Sequence, residues 1–323
     1  MDKILIIKTA YHVQEEKNMQ FYLAPMEGIT GYVVRNAFAH HFPYIDTYFT
    51  PFIPAAKKMS KKIKRDLAEE NNKGIDLVPQ LIGNDADEFL MMAQQLEDLG
   101  FTSVNLNFGC PSGTVVSKKK GAGFLQEPAA LDALLDTVVS KSPLPVSVKT
   151  RIGMDEESEW EDLCAIYAKY PLKELIIHPR LQKDYYSGTP RLKAFSHAVD
   201  TISVPLCYNG DICTVEDYKK ITEHFPSVEH VMIGRGLLAD PGLVGEIKGE
   251  PPADRKKLRA FHDEILEGCL MTFRAEKDVV FHLKELWFYL TRSFPERDKY
   301  LKLIRKCQSL PEYKLIVQQI FGQ

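Results

Sequence analysis

Short apolar runs alternate with helical patterns along most of the chain, and this alternation limits the folds open to it. Eight runs are rich in β-branched and aromatic residues, near positions 21–26, 46–50, 76–82, 103–107, 145–149, 174–178, 204–209 and 230–234. Strands that alternate with helices pair in parallel. Eight is the number of parallel strands that closes a barrel. The sequence therefore predicts an α/β fold, a TIM (β/α)8 barrel.

The alternation stops near residue 250, and the rest of the chain is helical in pattern. Segments such as "KKLRAFHDEILEGCL" and "VVFHLKELWFYLTR" follow a pair of prolines at 251–252. A chain of 323 residues has room for one large domain and a smaller one. We predict an N-terminal extension over 1–19, a barrel catalytic domain over 20–250 and an all-helical domain over 251–323.

Two helices carry start signals. Ser158 with Glu161 has the spacing of a capping box, in which a hydroxyl and a carboxylate satisfy backbone N–H groups at the start of a helix. Thr214 with Asp217 resembles one as well. We predict that helices begin at both places.

Polar side chains follow the predicted strands at the points where they end. In barrels of this type the active site is built from the carboxyl ends of several strands. The ends carry Pro25-Met26-Glu27, Gln80, Asn107 with Cys110, Lys149 with Arg151, His178 with Arg180, Asn209-Gly210-Asp211, and Gly234-Arg235. A purely structural barrel has little reason to place polar groups so regularly. The sequence therefore predicts a functional site at this end.

The last two strand ends, "CYNGDI" and "MIGRGL", are turns that contain glycine. Barrels of this type commonly bind phosphate there through backbone N–H groups, so we favour phosphate binding over plain turns. Arg235 would add a charge-assisted contact. Lys149 is either a strand-end lysine paired with a carboxylate or a cation that tunes a reduced flavin. No G-x-G-x-x-G follows a strand, which disfavours a separate Rossmann domain for a nicotinamide.

Composition narrows the class of protein. The formal net charge is −3, so a nucleic-acid partner would need a local basic surface. The six cysteines are scattered without metal-ligand spacing, which favours free thiols in a reducing compartment. No apolar stretch approaches the roughly 20 residues that cross a bilayer. We therefore expect a cytoplasmic protein that binds neither a membrane nor a metal.

Seven motifs occur in the order and spacing found in one enzyme family. They are "LAPMEGIT", "VPQLIG", "NLNFGCPSG" with "KKKGAGFL" after it, "VSVKTRIG", "HPR" with "YYSG", "NGDI" and "IGRGL". Over about residues 20–245 the chain resembles the tRNA-dihydrouridine synthases. The helical tail agrees with the RNA-binding domain of that family. The resemblance implies an enzyme that uses FMN and NADPH to reduce uridine in tRNA to 5,6-dihydrouridine. We separately expect a monomer.

The resemblance also implies roles for single residues. Cys110 would be the catalytic acid. FMN would be held by residues at the strand ends: Pro25, Met26, Glu27, Gln80, Lys149, His178, Asn209, Gly210, Asp211, Gly234 and Arg235. The segments "HPR" and "PSGTVVSKKK" depart from the common family pattern. Both segments are expected to contact RNA, so these departures affect the prediction of which uridine is reduced more than the prediction of the reaction.

The position of Cys110 at the tip of a strand, between Gly109 and Pro111, has two interpretations. It is either a small residue that fills a gap or a group aimed at a substrate. Reduction of the C5–C6 bond of uracil needs a hydride at one carbon and a proton at the other. In this family context we favour a thiol that protonates C5 while reduced FMN supplies hydride to C6.

Basic residues should line the path of a uridine that leaves its stack to reach the flavin. The segment "KKMSKKIKR" at 57–65 is slightly better interpreted as a solvated face. The lysines at 118–120 lie between Cys110 and Gly121, and we interpret them as phosphate contacts on a mobile lid. Asn107 would orient the base or the flavin. The predicted substrate and RNA contacts are Asn107, Lys118, Lys119, Lys120, Arg151 and Arg180.

Two other functions stay open. An FMN barrel oxidoreductase that acts on a small pyrimidine such as dihydroorotate would explain the phosphate turns and Lys149. It would leave the helical tail and the lysine runs without a role. An RNA-binding protein that has lost catalysis would not need the full set of polar strand ends. A yellow sample that bleaches with NADPH would identify a flavin enzyme, and copurified RNA would then favour the synthase.

Overall fold

The structure is a computed structural model that describes residues 19–322, so the predicted extension lies almost entirely outside the described residues. Within 19–322 ten strands form one sheet, and all neighbouring strands are parallel. They are β1 (Gln20–Leu23), β2 (Thr47–Phe49), β3 (Ile53–Pro54), β4 (Leu77–Val78), β5 (Gln80–Ile82), β6 (Val104–Phe108), β7 (Val146–Arg151), β8 (Leu175–His178), β9 (Leu206–Tyr208) and β10 (His230–Ile233). The eight predicted strands are confirmed, and β3 is an addition.

The sheet closes at Pro79, in the middle of the third predicted strand. The sheet order is β3-β5-β6-β7-β8-β9-β10-β1-β2-β4, so β4 and β5 lie near its two ends. Only Pro79 separates β4 from β5, and β4 pairs with β2 whereas β5 pairs with β6. Proline has no N–H for the ladder, but its carbonyl accepts from the Asn105 N–H at 2.9 Å. The two halves of this strand therefore join the ends of the sheet into the predicted barrel.

Helices connect the strands and cover the outside of the barrel. Before residue 250 they are α1 (Tyr32–His41), α2 (Lys61–Leu67), α3 (Ala86–Asp98), α4 (Gly113–Val116), α5 (Pro128–Lys141), α6 (Glu159–Tyr167), α7 (Leu192–Thr201), α8 (Val215–His224), α9 (Arg235–Ala239) and α10 (Leu243–Ile247). Within the described residues there are also four short 3-10 helices: η1 (Glu69–Asn71), η2 (Gly121–Gln126), η3 (Gln182–Asp184) and η4 (Thr291–Ser293). No helix within residues 19–322 has both the length and the apolar character required to cross a membrane.

One of the two predicted capping boxes is present. At α8 the Thr214 hydroxyl accepts from the Asp217 N–H, and the Asp217 carboxylate accepts from the Thr214 N–H, both at 3.1 Å. At α6 the helix begins at the predicted place, with Ser158 as its N-cap, but the predicted capping box is absent, because the Ser158 side chain makes no capping hydrogen bond. The carboxylate of Glu159 instead accepts from three backbone N–H groups of the preceding turn, those of residues 154, 155 and 156.

The predicted all-helical region is confirmed, and it packs on the barrel. Its helices are α11 (Arg255–Thr272), α12 (Glu276–Leu290), α13 (Arg297–Lys306) and α14 (Leu310–Phe321). The ring of Phe261 on α11 lies 4.9 Å from that of Phe38 and 5.4 Å from that of Phe42, both near α1. The Tyr32 and Thr272 hydroxyls are hydrogen bonded at 2.6 Å. The helical region is therefore held to the barrel mainly through α1.

The interior of the barrel is filled at the end opposite the predicted site. Tyr22, Phe49, Cys207 and other buried side chains form a compact apolar group there. Beside them the carboxylate of Glu174 accepts hydrogen bonds from the Tyr22 hydroxyl, at 3.2 Å, and pairs with the ring of His230. A cavity lies toward the carboxyl ends of the strands.

Candidate active site

A cavity of about 410 Å³ opens at the carboxyl ends of the strands. Its size falls within the range of about 300–1,000 Å³ that is typical of cofactor and small-molecule sites. Every residue predicted to hold a cofactor lines it, together with Asn107, Cys110 and Arg151. Lys118, Lys119, Lys120 and Arg180 are not among its lining residues. The fold thus gathers the strand ends as expected, and it separates four of the predicted RNA contacts from them.

Asn107 holds the turn that carries Cys110. Its side-chain oxygen accepts from the N–H groups of Gly109 and Cys110, at 3.0 and 2.9 Å. Its amide nitrogen donates to the side-chain oxygen of Gln80 at 2.7 Å, and Gln80 donates to Asn105 at 2.7 Å. A polar chain across β5 and β6 therefore fixes the cysteine turn, because a buried amide is stable only when its hydrogen bonds are satisfied.

The surroundings of Cys110 favour the thiol over the thiolate. Burial raises its pKa, and the nearby Glu27 carboxylate raises it further. The N–H of Ser112 and the cations of Arg151 and Lys149 act in the opposite direction without reversing the shift. At neutral pH the side chain therefore carries its proton. The same N–H and cations are the groups that would stabilise the anion left after the proton is given away.

The segment after Cys110 returns to the cysteine turn at η2, and the mobile lid stays a prediction. Gly121 has φ +55°, and a Cβ added there would lie 2.9 Å from the Cys110 Cβ, so η2 rests directly against the cysteine turn. The Ala122 N–H donates to the Cys110 carbonyl at 3.0 Å. Lys119 is paired with Glu127 at 2.6 Å on the surface. The lysines at 118–120 therefore lie on the outside of a packed turn and away from the cavity lining.

Cations dominate the floor of the cavity. Burial, with the charge of Arg151, lowers the pKa of Lys149 to about 8, and burial lowers the pKa of Arg151 to about 10. Lys149 donates to the Asn209 side-chain oxygen at 2.7 Å. Burial and these neighbouring cations hold the pKa of His178 well below its ordinary value, so its ring is neutral. This charge favours an anionic ligand, and residues 19–322 contain no group of three or more side chains suited to a metal ion.

Arg180 is a buried structural residue, which corrects its assignment as an RNA contact. Its guanidinium is fully buried and donates to both carboxylate oxygens of Asp211, at 2.9 and 2.5 Å. The remaining N–H groups donate to the carbonyls of Ser187 and Gly188 and to the ring of His178. All five donors of the guanidinium are therefore used. Arg180 fixes the 209–211 turn and the 187–188 loop relative to each other.

The two glycine turns are shaped by close backbone packing. A Cβ added at Gly210 would lie 3.0 Å from the Tyr208 hydroxyl, and one at Gly236 would lie 2.1 Å from the Ile212 carbonyl. Asp211 adopts φ +44°, and its carboxylate also accepts from Arg235. The two turns therefore lie side by side with little room for side chains. Both turns and Arg235 line the cavity.

Several residues of the cavity wall were missed by the sequence analysis. Tyr185 and Tyr186 stand at the rim, with the Tyr186 ring 4.5 Å from the Arg235 guanidinium and 5.6 Å from that of Arg151. Arg151 also donates to the Tyr185 carbonyl at 2.6 Å. The motif "YYSG" could have suggested these two tyrosines. Glu285 and Tyr289, four residues apart on α12, complete the wall from the helical region, and no local pattern marks them.

Solved structures confirm the fold. Morphinone reductase superposes with a TM-score of 0.52 at 11% identity, and the match covers 75% of this chain and 88% of that one. A 2-naphthoyl-CoA reductase complex gives a TM-score of 0.54 at 9% identity, covering 72% of this chain and 50% of the other. At such low identity the likeness concerns the fold alone.

Curated relatives are similar over nearly the whole chain. The tRNA-dihydrouridine(16) synthase of Pseudomonas syringae pv. tomato is 29% identical over 303 residues, which are 89% of this chain and 95% of the relative. The tRNA-dihydrouridine synthase B of Pasteurella multocida is 29% identical over 227 residues, 69% of this chain and 67% of the relative. The family model described as dihydrouridine synthase matches residues 22–315. The chain therefore belongs to the dihydrouridine synthase family.

Proposed function

We propose that this protein reduces a uridine of tRNA to 5,6-dihydrouridine, with FMN as its bound flavin, NADPH as reductant and Cys110 as proton donor. Membership of the dihydrouridine synthase family and relatives named tRNA-dihydrouridine synthases support the reaction and the substrate. The observation that carries the proposal is a protonated thiol in the wall of a cationic cavity of cofactor size.

The residues of the cavity fit a flavin mononucleotide. The 209–211 and 234–236 turns, with Arg235, offer backbone and guanidinium donors for a phosphate. Lys149 offers a cation for a reduced ring, and side chains such as Met26 and Phe52 offer apolar walls. When bound, FMN would supply the hydride for C6 of uracil. Asp211 would contribute through its backbone, because its carboxylate is held by two arginines.

Cys110 would supply the other half of the reduction. Its thiol would give its proton to C5, where hydride addition at C6 leaves negative charge. The Ser112 N–H, Lys149 and Arg151 would then hold the thiolate until it takes a proton from solvent. In this proposal Asn107 and Arg151 position the loops around the uridine. Asn107 fixes the cysteine turn by accepting hydrogen bonds from its backbone. Arg151 donates to the Gly109 carbonyl at 3.0 Å and to the Tyr185 carbonyl at 2.6 Å, so it links the cysteine turn to the rim of the cavity.

Three further assignments concern the location of the protein in the cell, its oligomeric state and the tRNA position that it modifies. A tRNA substrate and six unpaired cysteines agree with the predicted cytoplasmic location. A monomer stays a prediction, which size-exclusion chromatography with light scattering would check. Several relatives are named for position 16, so uridine 16 is the first position to examine.

The test combines spectroscopy with RNA mapping. The purified protein should be yellow, release FMN rather than FAD on denaturation, and bleach when NADPH is added without oxygen. Mapping of dihydrouridine at nucleotide resolution, in cells with and without the gene, should show loss at a defined tRNA position. A protein that holds no flavin would overturn the proposal. A flavoprotein that reduces or oxidises dihydroorotate and leaves tRNA unchanged would favour the small-pyrimidine alternative.

A further inference from the structure

The basic segment 57–65 has no role in the active site as described so far. It carries six cations, at positions 57, 58, 61, 62, 64 and 65, and no acidic residue. All six side chains are exposed. Across the described chain, residues 19–322, none of them forms an ion pair with a carboxylate at contact distance. The lysines at 118–120 differ from this segment, because Lys119 already has Glu127 as its partner.

The basic segment lies against the helical region. Arg65 donates to the carbonyl of Thr272, the last residue of α11, at 3.4 Å. Lys62 lies near His282 of α12, where burial lowers the pKa of the imidazole and the Lys62 charge lowers it further. Segments more than 200 positions apart in the sequence therefore form one continuous surface.

This surface adjoins the cavity. The ring of His282 lies near the backbone of Gly28, which raises the imidazole pKa in opposition to burial, and Gly28 follows Glu27 in the cavity wall. Lys62 is close enough to Glu27 to oppose the rise in its pKa that burial causes. Whatever binds at residues 57–65 is therefore placed beside the mouth through which a uridine would enter.

Two large apolar side chains of the helical region are exposed, and each is next in sequence to a residue that lies close to segment 57–65. Met271 is 85% exposed and Phe281 is 68% exposed. Each is next in sequence to an anchored residue, Met271 to Thr272 and Phe281 to His282. Residues Glu276 and Asp278 offset the charges of nearby Arg274 and Lys277. The positive charge of the surface therefore comes from segment 57–65, and the helical region supplies the apolar groups.

We propose that segment 57–65 together with Met271 and Phe281 forms a docking surface for the RNA substrate, holding its phosphate backbone on the lysines and one unstacked base on Phe281. This proposal rests on the proposed function. Unpaired cations beside an exposed aromatic ring are the combination that binds single-stranded or looped RNA, since phosphates need charge and bases need a flat apolar face. An acidic protein can hold a polyanion only through such a local surface.

The first test removes positive charge from segment 57–65. The triple variant Lys58→Ala, Lys61→Ala, Lys64→Ala keeps Lys62 and Arg65, which contact the helical region. The control is Lys193→Ala, Lys219→Ala, Lys220→Ala, which removes the same charge from exposed lysines of α7 and α8. The probe is unfractionated tRNA from cells that lack the gene, with binding measured by fluorescence anisotropy at several salt concentrations.

We expect the triple variant to bind tRNA more weakly and to lose roughly 0.7–0.9 from the slope of log K against log salt for each phosphate contact removed. Its KM for tRNA should rise while kcat at saturating tRNA and bleaching by NADPH stay at the wild-type values. Phe281→Ala should weaken binding on the order of tenfold with an unchanged salt slope, because it removes stacking and no charge. Leu315→Ala, at another exposed apolar position, should have no effect.

The outcomes separate this proposal from the function on which it rests. If the wild type forms dihydrouridine and both the triple variant and Phe281→Ala bind tRNA as their controls do, the docking surface is wrong and the function stands. If the wild type bleaches with NADPH but leaves tRNA unchanged, the function itself fails. If the triple variant loses binding to phosphatidylglycerol vesicles but keeps tRNA binding, the surface serves a membrane and the RNA proposal is overturned.

Discussion

The Cys110 side chain combines a raised pKa with groups that would stabilise its anion. Burial and Glu27 keep the proton on sulfur, and the Ser112 N–H, Lys149 and Arg151 face the sulfur as it becomes negative. A general acid needs both properties, because it must hold a proton at neutral pH and release it in the transition state. Cys213 also lines the cavity, but its sulfur lies near Arg235 and Asp211, by the turns proposed for phosphate.

We predict that Cys110→Ala separates the two halves of the reaction. Reduction of the bound flavin by NADPH uses no proton from Cys110, so bleaching should continue at close to the wild-type rate. Dihydrouridine formation should fall on the order of 100- to 10,000-fold, which is the usual cost of losing a positioned general acid. Stopped-flow absorbance at the flavin band, with NADPH and tRNA added in separate mixes, measures both steps.

Cys213→Ala is the matched control for that experiment, since it removes a second thiol from the same cavity. It should leave reoxidation of the flavin by tRNA unchanged. Near-normal reoxidation in Cys110→Ala would return this cysteine to the role of a small residue that fills a turn.

His230 provides a separate prediction at the opposite end of the barrel. Its hydrogen bond to Glu174 raises its pKa above the ordinary value of 6.5. The protonated ring is therefore favoured by folding, so its stabilisation is complete below about pH 6.5 and is lost as pH rises through the higher folded pKa. Urea unfolding between pH 6 and 9 should show a falling midpoint. His230→Gln should flatten this part of the profile, and an identical slope in the variant would refute the assignment.

Among the elements, η2 is the support beneath the cysteine turn. Gly121 has φ +55°, and both the Cβ and the carbonyl of Cys110 lie 2.9 Å from where a side chain would begin. A Cβ added at Gly123 would meet the Val116 carbonyl at 2.7 Å. These glycines therefore allow close packing of one backbone segment on another.

We predict that Gly121→Ala damages catalysis by moving Cys110. The added methyl group is strained at this φ and collides with the cysteine turn, so the thiol should shift from its position. Dihydrouridine formation should fall at least tenfold while flavin content after dialysis stays near that of the wild type. Gly113→Ala is the control, because nothing lies within 4 Å of its added Cβ. Equal activity of the two variants would contradict the support role.

The elements that the sequence predicted well depend on local patterns. Six of the eight predicted strands join a short apolar run to a polar end within one or two residues, and the capping box at Thr214 is complete within four residues. The predictions that failed, the capping box at α6 and the RNA contact at Arg180, depend on backbone conformation or on a partner that is distant in the sequence. At α6 the backbone of Ser158 is already helical, at φ −62° and ψ −24°, and its hydroxyl makes no capping hydrogen bond. Arg180 looked like a free cation because its partner Asp211 is 31 positions away.

At the scale of the whole molecule, the helical region is part of the wall of the cavity. Glu285 and Tyr289 face the cavity from α12, and Phe261 fills the space against Phe38 and Phe42. Neither contact has a sequence signal, because each depends on how α11 and α12 dock on the barrel. Deletion of residues 253–323 would therefore expose the buried face of α1 and open the cavity, so it is not a clean test of RNA binding.

We predict that the barrel and the helical region unfold together. The two tryptophans report on each part, since Trp160 lies on α6 and Trp287 on α12. In Trp287→Phe, fluorescence follows the barrel while circular dichroism follows all helices, and their urea midpoints should coincide. In Trp160→Phe, fluorescence follows the helical region through Trp287, and its urea midpoint should again coincide with that of circular dichroism.

A second substitution tests the interface directly. Phe261→Ala should reduce the free energy of unfolding by about 3–5 kcal/mol, the usual cost of emptying a buried aromatic site. It should shift the fluorescence midpoints of both single-tryptophan backgrounds together. Midpoints that separate, with the barrel signal unaffected, would show that the two parts fold independently.

Three side chains of α12 lie at the barrel mouth: Glu285 and Tyr289 line the cavity wall, and His282 lies near the backbone of Gly28. A chimera that carries the tail of a relative would bring foreign side chains at 282, 285 and 289 against the barrel mouth. Grafting a tail to redirect target choice would therefore also alter the chamber where the chemistry occurs. A change of the target tRNA position, by evolution or by engineering, would therefore require matched substitutions in the tail and at the barrel mouth.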